Sequence, residues 1–108
     1  MKDLTQFEKI IGSDFTNKDL LKQSLVHRSY INEHPNFSLG HNERLEFLGD
    51  AVLELAVTRH LFLKYEDKAE GELTNWRASL VKSDTLADTA EEINVNDYLY
   101  LSKGESKD

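Results

Sequence analysis

His41-Asn42-Glu43-Arg44-Leu45-Glu46-Phe47-Leu48-Gly49-Asp50 opens the stretch whose reading decides the fold. The apolar spacing that follows predicts one long helix from Glu43 to about Tyr65, entered through Asn42 as its cap. A helix turns by about 100° per residue. With Glu43 at zero, Glu46 falls near about 300°, Asp50 near about 340° and Glu54 near about 20°, so four carboxylates share one stripe. Leu45, Leu48, Val52, Leu55 and Ala56 fill most of the remaining face, and Leu53, Val57 and Leu61 return apolar side chains toward the stripe. A helix apolar around most of its girth is expected to be a buried central helix. Carboxylates on such a helix repel one another and lose hydration. A divalent cation with oxygen ligands would compensate for both.

An acidic stripe is ordinarily a solvated face. Two details weigh against that reading. Arg44 and Arg59 point elsewhere on the wheel, so no base of this helix neutralises the stripe. Gly49 also stands in mid-helix, where it costs about 1 kcal/mol relative to Ala. A glycine there fits close approach by another backbone or helix, and a plain packing contact is an equal alternative to a functional one.

The other segments read as helices too. Leu4, Phe7, Ile10 and Ile11 form a helical spacing closed by Gly12. Thr16-Asn17-Lys18-Asp19 resembles a capping box before a helix through Leu20, Leu21, Leu25 and Val26. Residues 30–40, with Asn32, Pro35, Asn36, Ser38 and Gly40, read as a loop. Glu70 to Lys82 reads as a helix with Leu73, Trp76, Leu80 and Val81 near one face, and Trp76 is expected in the core. Ser83 is placed to cap a further helix ending near Asn94, and the tail from Leu99 to Asp108 passes from apolar to charged. Strand alternation is absent, so the expected class is all-α.

The chain has 108 residues, enough for one small domain with a real core and too few for two. Apolar residues at 39% and charged residues at 31% are a globular balance; a disordered chain would be poorer in apolar residues. With no cysteine, disulfide frameworks and thiolate metal sites are excluded. No apolar run reaches the roughly 20 residues that span a bilayer, and no signal core opens the chain, so a soluble cytoplasmic protein is expected. The net charge of −7 argues against phosphate binding through Lys and Arg. A phosphodiesterase that works through divalent metal needs clustered carboxylates instead, with the metal supplying the positive charge.

The stretch Asn42 to Leu53 resembles the signature of the bacterial ribonuclease III family. Leu25-Val26-His27-Arg28-Ser29, Glu70-Gly71-Glu72-Leu73-Thr74, Arg77-Ala78-Ser79-Leu80-Val81 and Leu101-Ser102-Lys103-Gly104-Glu105 extend the likeness over nearly the whole chain. The resemblance implies a helical endonuclease domain that cleaves double-stranded RNA, such as ribosomal RNA precursors, as a homodimer with Mg²⁺, for which Mn²⁺ can substitute. It makes Glu46 a metal-ligating carboxylate and Asp50 the catalytic acid of the same helix, the two sharing the metal. Glu43 and Glu70 become accessory acids of the cleavage valley. Phe47 becomes an aromatic knob that enters a socket on the partner subunit; read from the residues alone, plain core packing serves Phe47 as well. His27 is available as a general base, but a structural hydrogen bond is the reading favoured for it.

In the family a further helix after the Lys-Gly-Glu loop carries an Asp and a Glu three residues apart, and a basic double-stranded-RNA-binding domain follows. Residues 1–108 are thus expected to be an incomplete endonuclease domain with half of the carboxylates of a family metal site. Such a chain alone is expected to be inactive. One alternative is a short relative that is active only if a partner supplies the missing acids; another is a non-catalytic relative that keeps the fold for dimerisation or RNA binding, and intact Glu43, Glu46, Asp50 and Glu70 weigh against the latter.

Overall fold

A computed structural model describes residues 2–106; the last two residues of the charged tail lie outside the described residues. Among the described residues six helices follow in order: α1 (Leu4–Ile11), α2 (Lys18–Ser24), α3 (Arg28–Glu33), α4 (Glu43–Lys64), α5 (Glu70–Val81) and α6 (Ser83–Glu92). A 3-10 turn, Val95–Asp97, leads into the tail. Among the described residues no strand forms; Val26 and Tyr100 make an isolated parallel bridge. The expected all-α class is the observed one.

α1 begins at Asp3, whose carboxylate accepts from the Thr5 amide, and ends at Gly12. Gly12 adopts φ 71°, a left-handed turn that lets its amide reach the Glu8 and Lys9 carbonyls, and glycine adopts it without a Cβ clash. α2 is capped by Asn17, one residue later than the expected box: its side chain takes the Leu20 amide at 3.0 Å. The segment expected as a loop from Tyr30 begins as helix, since α3 runs to Glu33. Its cap is His27, a residue whose ring nitrogen serves the role usually given to Ser or Asp.

The core lies where α1 and α2 meet the returning tail. Phe7, Leu21, Leu25, Val26, Tyr98 and Tyr100 are buried there, with Tyr30, Ile31, Phe37 and Ile93 against them. Tyr30 packs edge-on to Phe37 and Tyr100 at centroid distances of 5.4 and 5.3 Å, arrangements that aromatic quadrupoles favour. Backbone bonds from Tyr100 N to Leu25 O and from His27 N to Tyr100 O bind residues near the two ends of the chain together.

α4 and α5 form a helical hairpin that extends away from this core. The molecule is accordingly long, 53 × 28 × 23 Å, with a radius of gyration of 16.4 Å. A compact chain of this length would have about 13 Å. α4 is the expected helix to within one residue, with Tyr65 as its C-cap. It is not the buried helix that its composition predicts. Leu61 alone on it is buried, while Phe47, Leu48, Val52, Leu55, Phe62 and Leu63 are exposed. The physical reason is that α5 covers one face of α4 only, and no other element of the described chain lies on the opposite face.

Three smaller expectations are also corrected. Gly49 faces open space, so no backbone approaches it within this chain. Trp76 is partly exposed and rests edge-on against Tyr65 at 4.8 Å instead of entering the core. Ser83 is the first residue of α6 and not its cap, which falls on Lys82 and offers no side-chain acceptor.

Candidate active site on the acidic face of α4

The entry to α4 is built by its neighbours. Asn42 sits at the N-cap position, but its side chain turns back to donate to the Ser24 carbonyl at 2.9 Å, and its own amide donates to the Val26 carbonyl. The Glu43 amide is served by His41 Nδ1 at 3.3 Å. The capping role expected of Asn42 thus passes in part to His41, and Asn42 ties α4 to the core. Glu43 and Glu46 lie in the first turn, where the exposed amides and the helix dipole favour negative charge.

The acidic face divides in two. On the wheel, Leu53, Val57 and Leu61 fall at about the same angles as Glu46, Asp50 and Glu43. They are half-buried or buried beneath α5, whereas the carboxylates further up the same face are exposed. One face of α4 therefore carries carboxylates at its N-terminal end and apolar residues at its C-terminal end. α5 covers the apolar part and reaches the acidic part at Glu54, while Glu46 and Asp50 are exposed.

Bases from other helices hold the two flanking acids. Arg28 of α3 reaches Glu43 at 3.2 Å, and Arg77 of α5 reaches Glu54 at 3.6 Å and the Thr58 hydroxyl at 3.0 Å. Sequence reasoning weighed only the arginines of α4 itself and missed both, because nothing local marks a partner from a different helix. Between the flanking acids, Glu46 and Asp50 stand one turn apart, about 6 Å of rise. Both are exposed, and no ion pair reaches either among the described residues.

The remaining expected site residues are placed as follows. Phe47 is 84% exposed beside the acidic face, so it is no part of this chain's core. Glu70 opens α5 and lines a groove of about 670 Å³ with Leu61, Phe62, Tyr65, Leu73 and Arg77. From Glu46 to Leu61, near which Glu70 lies, α4 rises by about 22 Å. Within one chain Glu70 is thus at the far end of the hairpin from Glu46 and Asp50. Among the described residues, no three or more His, Asp or Glu side chains come together to hold a metal ion. The chain's own donor set at this place is two carboxylates.

The model of a family described as Ribonuclease-III-like matches residues 17–108. The chain belongs to this family. It is 48% identical over 107 residues to Ribonuclease 3 of Listeria monocytogenes, covering 99% of this chain and 47% of that protein. It is 48% identical over 105 residues to Ribonuclease 3 of Dehalococcoides mccartyi, covering 97% of this chain and 44% of that one. The chain spans about half the length of the curated relatives it matches. The crystal structure of the nuclease domain of ribonuclease III from Campylobacter jejuni superposes with a TM-score of 0.83 at 39% identity, over 97% of this chain and 67% of that one. A second structure of that domain, described for flexibility in its region involved in dimer formation, has the same TM-score at 38% identity. The helical fold of this chain is thus that of ribonuclease III nuclease domains.

Proposed function

We propose that this chain supplies the Glu46–Asp50 part of a metal-dependent endonuclease site that hydrolyses phosphodiester bonds in double-stranded RNA. The observation that carries the reading is the exposed, unpaired carboxylate couple on one face of α4. Family membership and the names of the relatives support the reaction class. Two carboxylates one turn apart are hard oxygen donors of the kind Mg²⁺ prefers, and Mn²⁺ takes the same donors. Glu46 and Asp50 would hold one ion, with water and further groups completing its shell. When bound, such an ion supplies positive charge against the negative charge that develops on the attacked phosphate.

The chain's own residues have distinct tasks in this reading. Arg28 and Arg77 neutralise Glu43 and Glu54, so negative charge concentrates on Glu46 and Asp50. Glu43 and Glu70 act as accessory acids, and their separation along the hairpin lets them serve different parts of a duplex or of an assembly. Phe47 lies at the seam of a homodimer, where an exposed ring beside the acids would be covered by the same patch of a second copy. A cytoplasmic setting and a role in RNA processing, such as that of ribosomal RNA precursors, belong to the same reading; among the described residues no helix is long and apolar enough to cross a membrane.

The test has two arms. Mn²⁺ should broaden the NMR signals around Glu46 and Asp50, and Glu46→Gln or Asp50→Asn should remove the effect. Cleavage of a long RNA duplex in Mg²⁺ should be negligible for the 108-residue chain. It should appear when the chain is joined to the unmatched third of the Campylobacter nuclease domain, and vanish again with either substitution. Broadening centred elsewhere, or cleavage by the joined protein carrying both substitutions, would overturn the assignment.

A further inference from the structure

Four oxygen-bearing side chains of α4 follow one another at intervals of four residues: Glu46, Asp50, Glu54 and Thr58. Residues four apart lie on the same side of a helix, one turn above each other. Two neighbouring carboxylate pairs in this row, Glu46 with Asp50 and Asp50 with Glu54, therefore have the same backbone spacing and offer a divalent ion the same kind of donors. All three carboxylates are exposed, so burial does not choose between the pairs. Glu43 lies off the row and is held by Arg28.

The choice is made from α5. Arg77 Nε lies 3.6 Å from Glu54 Oε1, and Arg77 Nη1 donates to the Thr58 hydroxyl at 3.0 Å. One planar guanidinium thus engages the last two members of the row and leaves the first two free. Arg77 is half-buried in the hairpin groove with Leu61, Tyr65 and Leu73, so its charge is held in place. The ion pair is half-exposed and contributes little to folding, a factor of about five or less. Its effect on a cation is separate. A fixed positive charge at Glu54 repels a divalent ion from that end of the row, and Glu54 must leave the guanidinium before it can act as a ligand.

We propose that Arg77 is a positioning residue that sets the register of a divalent ion along this row: it withholds Glu54 and so confines the ion to Glu46 and Asp50. This role rests on the Glu46–Asp50 metal reading and adds to it which of two equally spaced pairs is used, and why. Asp50 with Glu54 becomes a latent pair, opened by the loss of one charge on a different helix. Arg77 touches neither ion nor substrate in this role; it acts through Glu54.

Mn²⁺ alone is the probe, titrated into the full 108-residue chain while its paramagnetic broadening of the backbone amides is followed by NMR. In the unsubstituted chain the broadening should centre on the turn from Glu46 to Asp50, and Glu54→Gln should leave that centre where it is. In Arg77→Met the broadening should spread by one turn to Glu54. Affinity should rise by about fivefold at low ionic strength, the scale of the repulsion in water between a unit charge and a divalent ion a turn or so away. Arg77→Gln, which keeps a donor for the Thr58 hydroxyl and with it the hairpin contact, should give the same spread. Adding Glu54→Gln to either Arg77 variant should return the centre to Glu46 and Asp50, a reversal that a purely structural role for Arg77 would not show. Broadening that stays on Glu46 and Asp50 in both Arg77 variants would overturn the proposal. So would broadening centred on Glu54 in the unsubstituted chain, or a spread that survives Glu54→Gln. Broadening centred away from the row in the unsubstituted chain would refute the metal reading itself, and this role with it.

Discussion

Arg77 and Glu54 meet at 3.6 Å across the α4–α5 hairpin, and their contact ties the acidic stripe of α4 to α5. Below it α5 lies over Val57 and Leu61; above it Asp50 and Glu46 are open to solvent. Arg77 also donates to the Thr58 hydroxyl, so one guanidinium holds two successive turns of α4. Arg77→Met keeps the stem and removes both contacts. It should lower the unfolding free energy by about 1–2 kcal/mol, since a half-exposed ion pair contributes less than about 1 kcal/mol and the hydrogen bond from the charged guanidinium to Thr58 adds about as much or more. Urea unfolding would measure it, and a double-mutant cycle with Glu54→Gln should leave the Thr58 part intact.

Val26 and Leu55 are both aliphatic, yet their environments are opposite. Val26 is completely buried and its carbonyl accepts from the Asn42 amide, while Leu55 is 68% exposed on α4. Val26→Ala should cost about 2–3 kcal/mol through lost burial and the cavity left behind. Leu55→Ala should change the stability of the single chain by no more than about 0.5 kcal/mol. Equal losses in urea denaturation would mean that the open face of α4 is covered in solution.

Phe47→Ala separates association from folding. The ring contributes nothing to this chain's core, so monomer stability should stay within about 0.5 kcal/mol. Self-association should weaken, because a two-fold contact loses two rings at once. Sedimentation equilibrium alongside thermal unfolding checks both. Unchanged association with a lowered midpoint would refute the seam.

Acid should weaken the α1–α2 junction. The hydrogen bond from Lys18 at 2.6 Å, and then that from the Phe15 amide, hold the Glu8 carboxyl below its ordinary value. A carboxyl depressed by folding contributes stability that is complete above its unfolded value and is lost as the pH falls through the folded one. Glu8→Gln should therefore lower the melting temperature at neutral pH and flatten the acid limb of its pH profile. Parallel profiles for the two proteins would exclude Glu8 as the source.

The sequence by itself determined the class, the length of the central helix and the carboxylate stripe. Those properties follow from local periodicity and from the scarcity of helix breakers, and α4 runs within one residue of its expected bounds. The family too was legible, since the likeness to ribonuclease III rests on a contiguous stretch of residues from Asn42 to Leu53. Burial was not. The spacing of Leu48, Val52 and Leu55 states that this face is apolar, but only packing decides whether anything covers it, and here α5 lies on the other side. The bases that hold Glu43 and Glu54 come from α3 and α5, and the acceptor for the Ser102 amide is Ser29, far earlier in the chain. Such partners are set by how helices cross, which local periodicity does not encode. Tertiary structure alone therefore decided which two of the four carboxylates on the stripe were left unpaired.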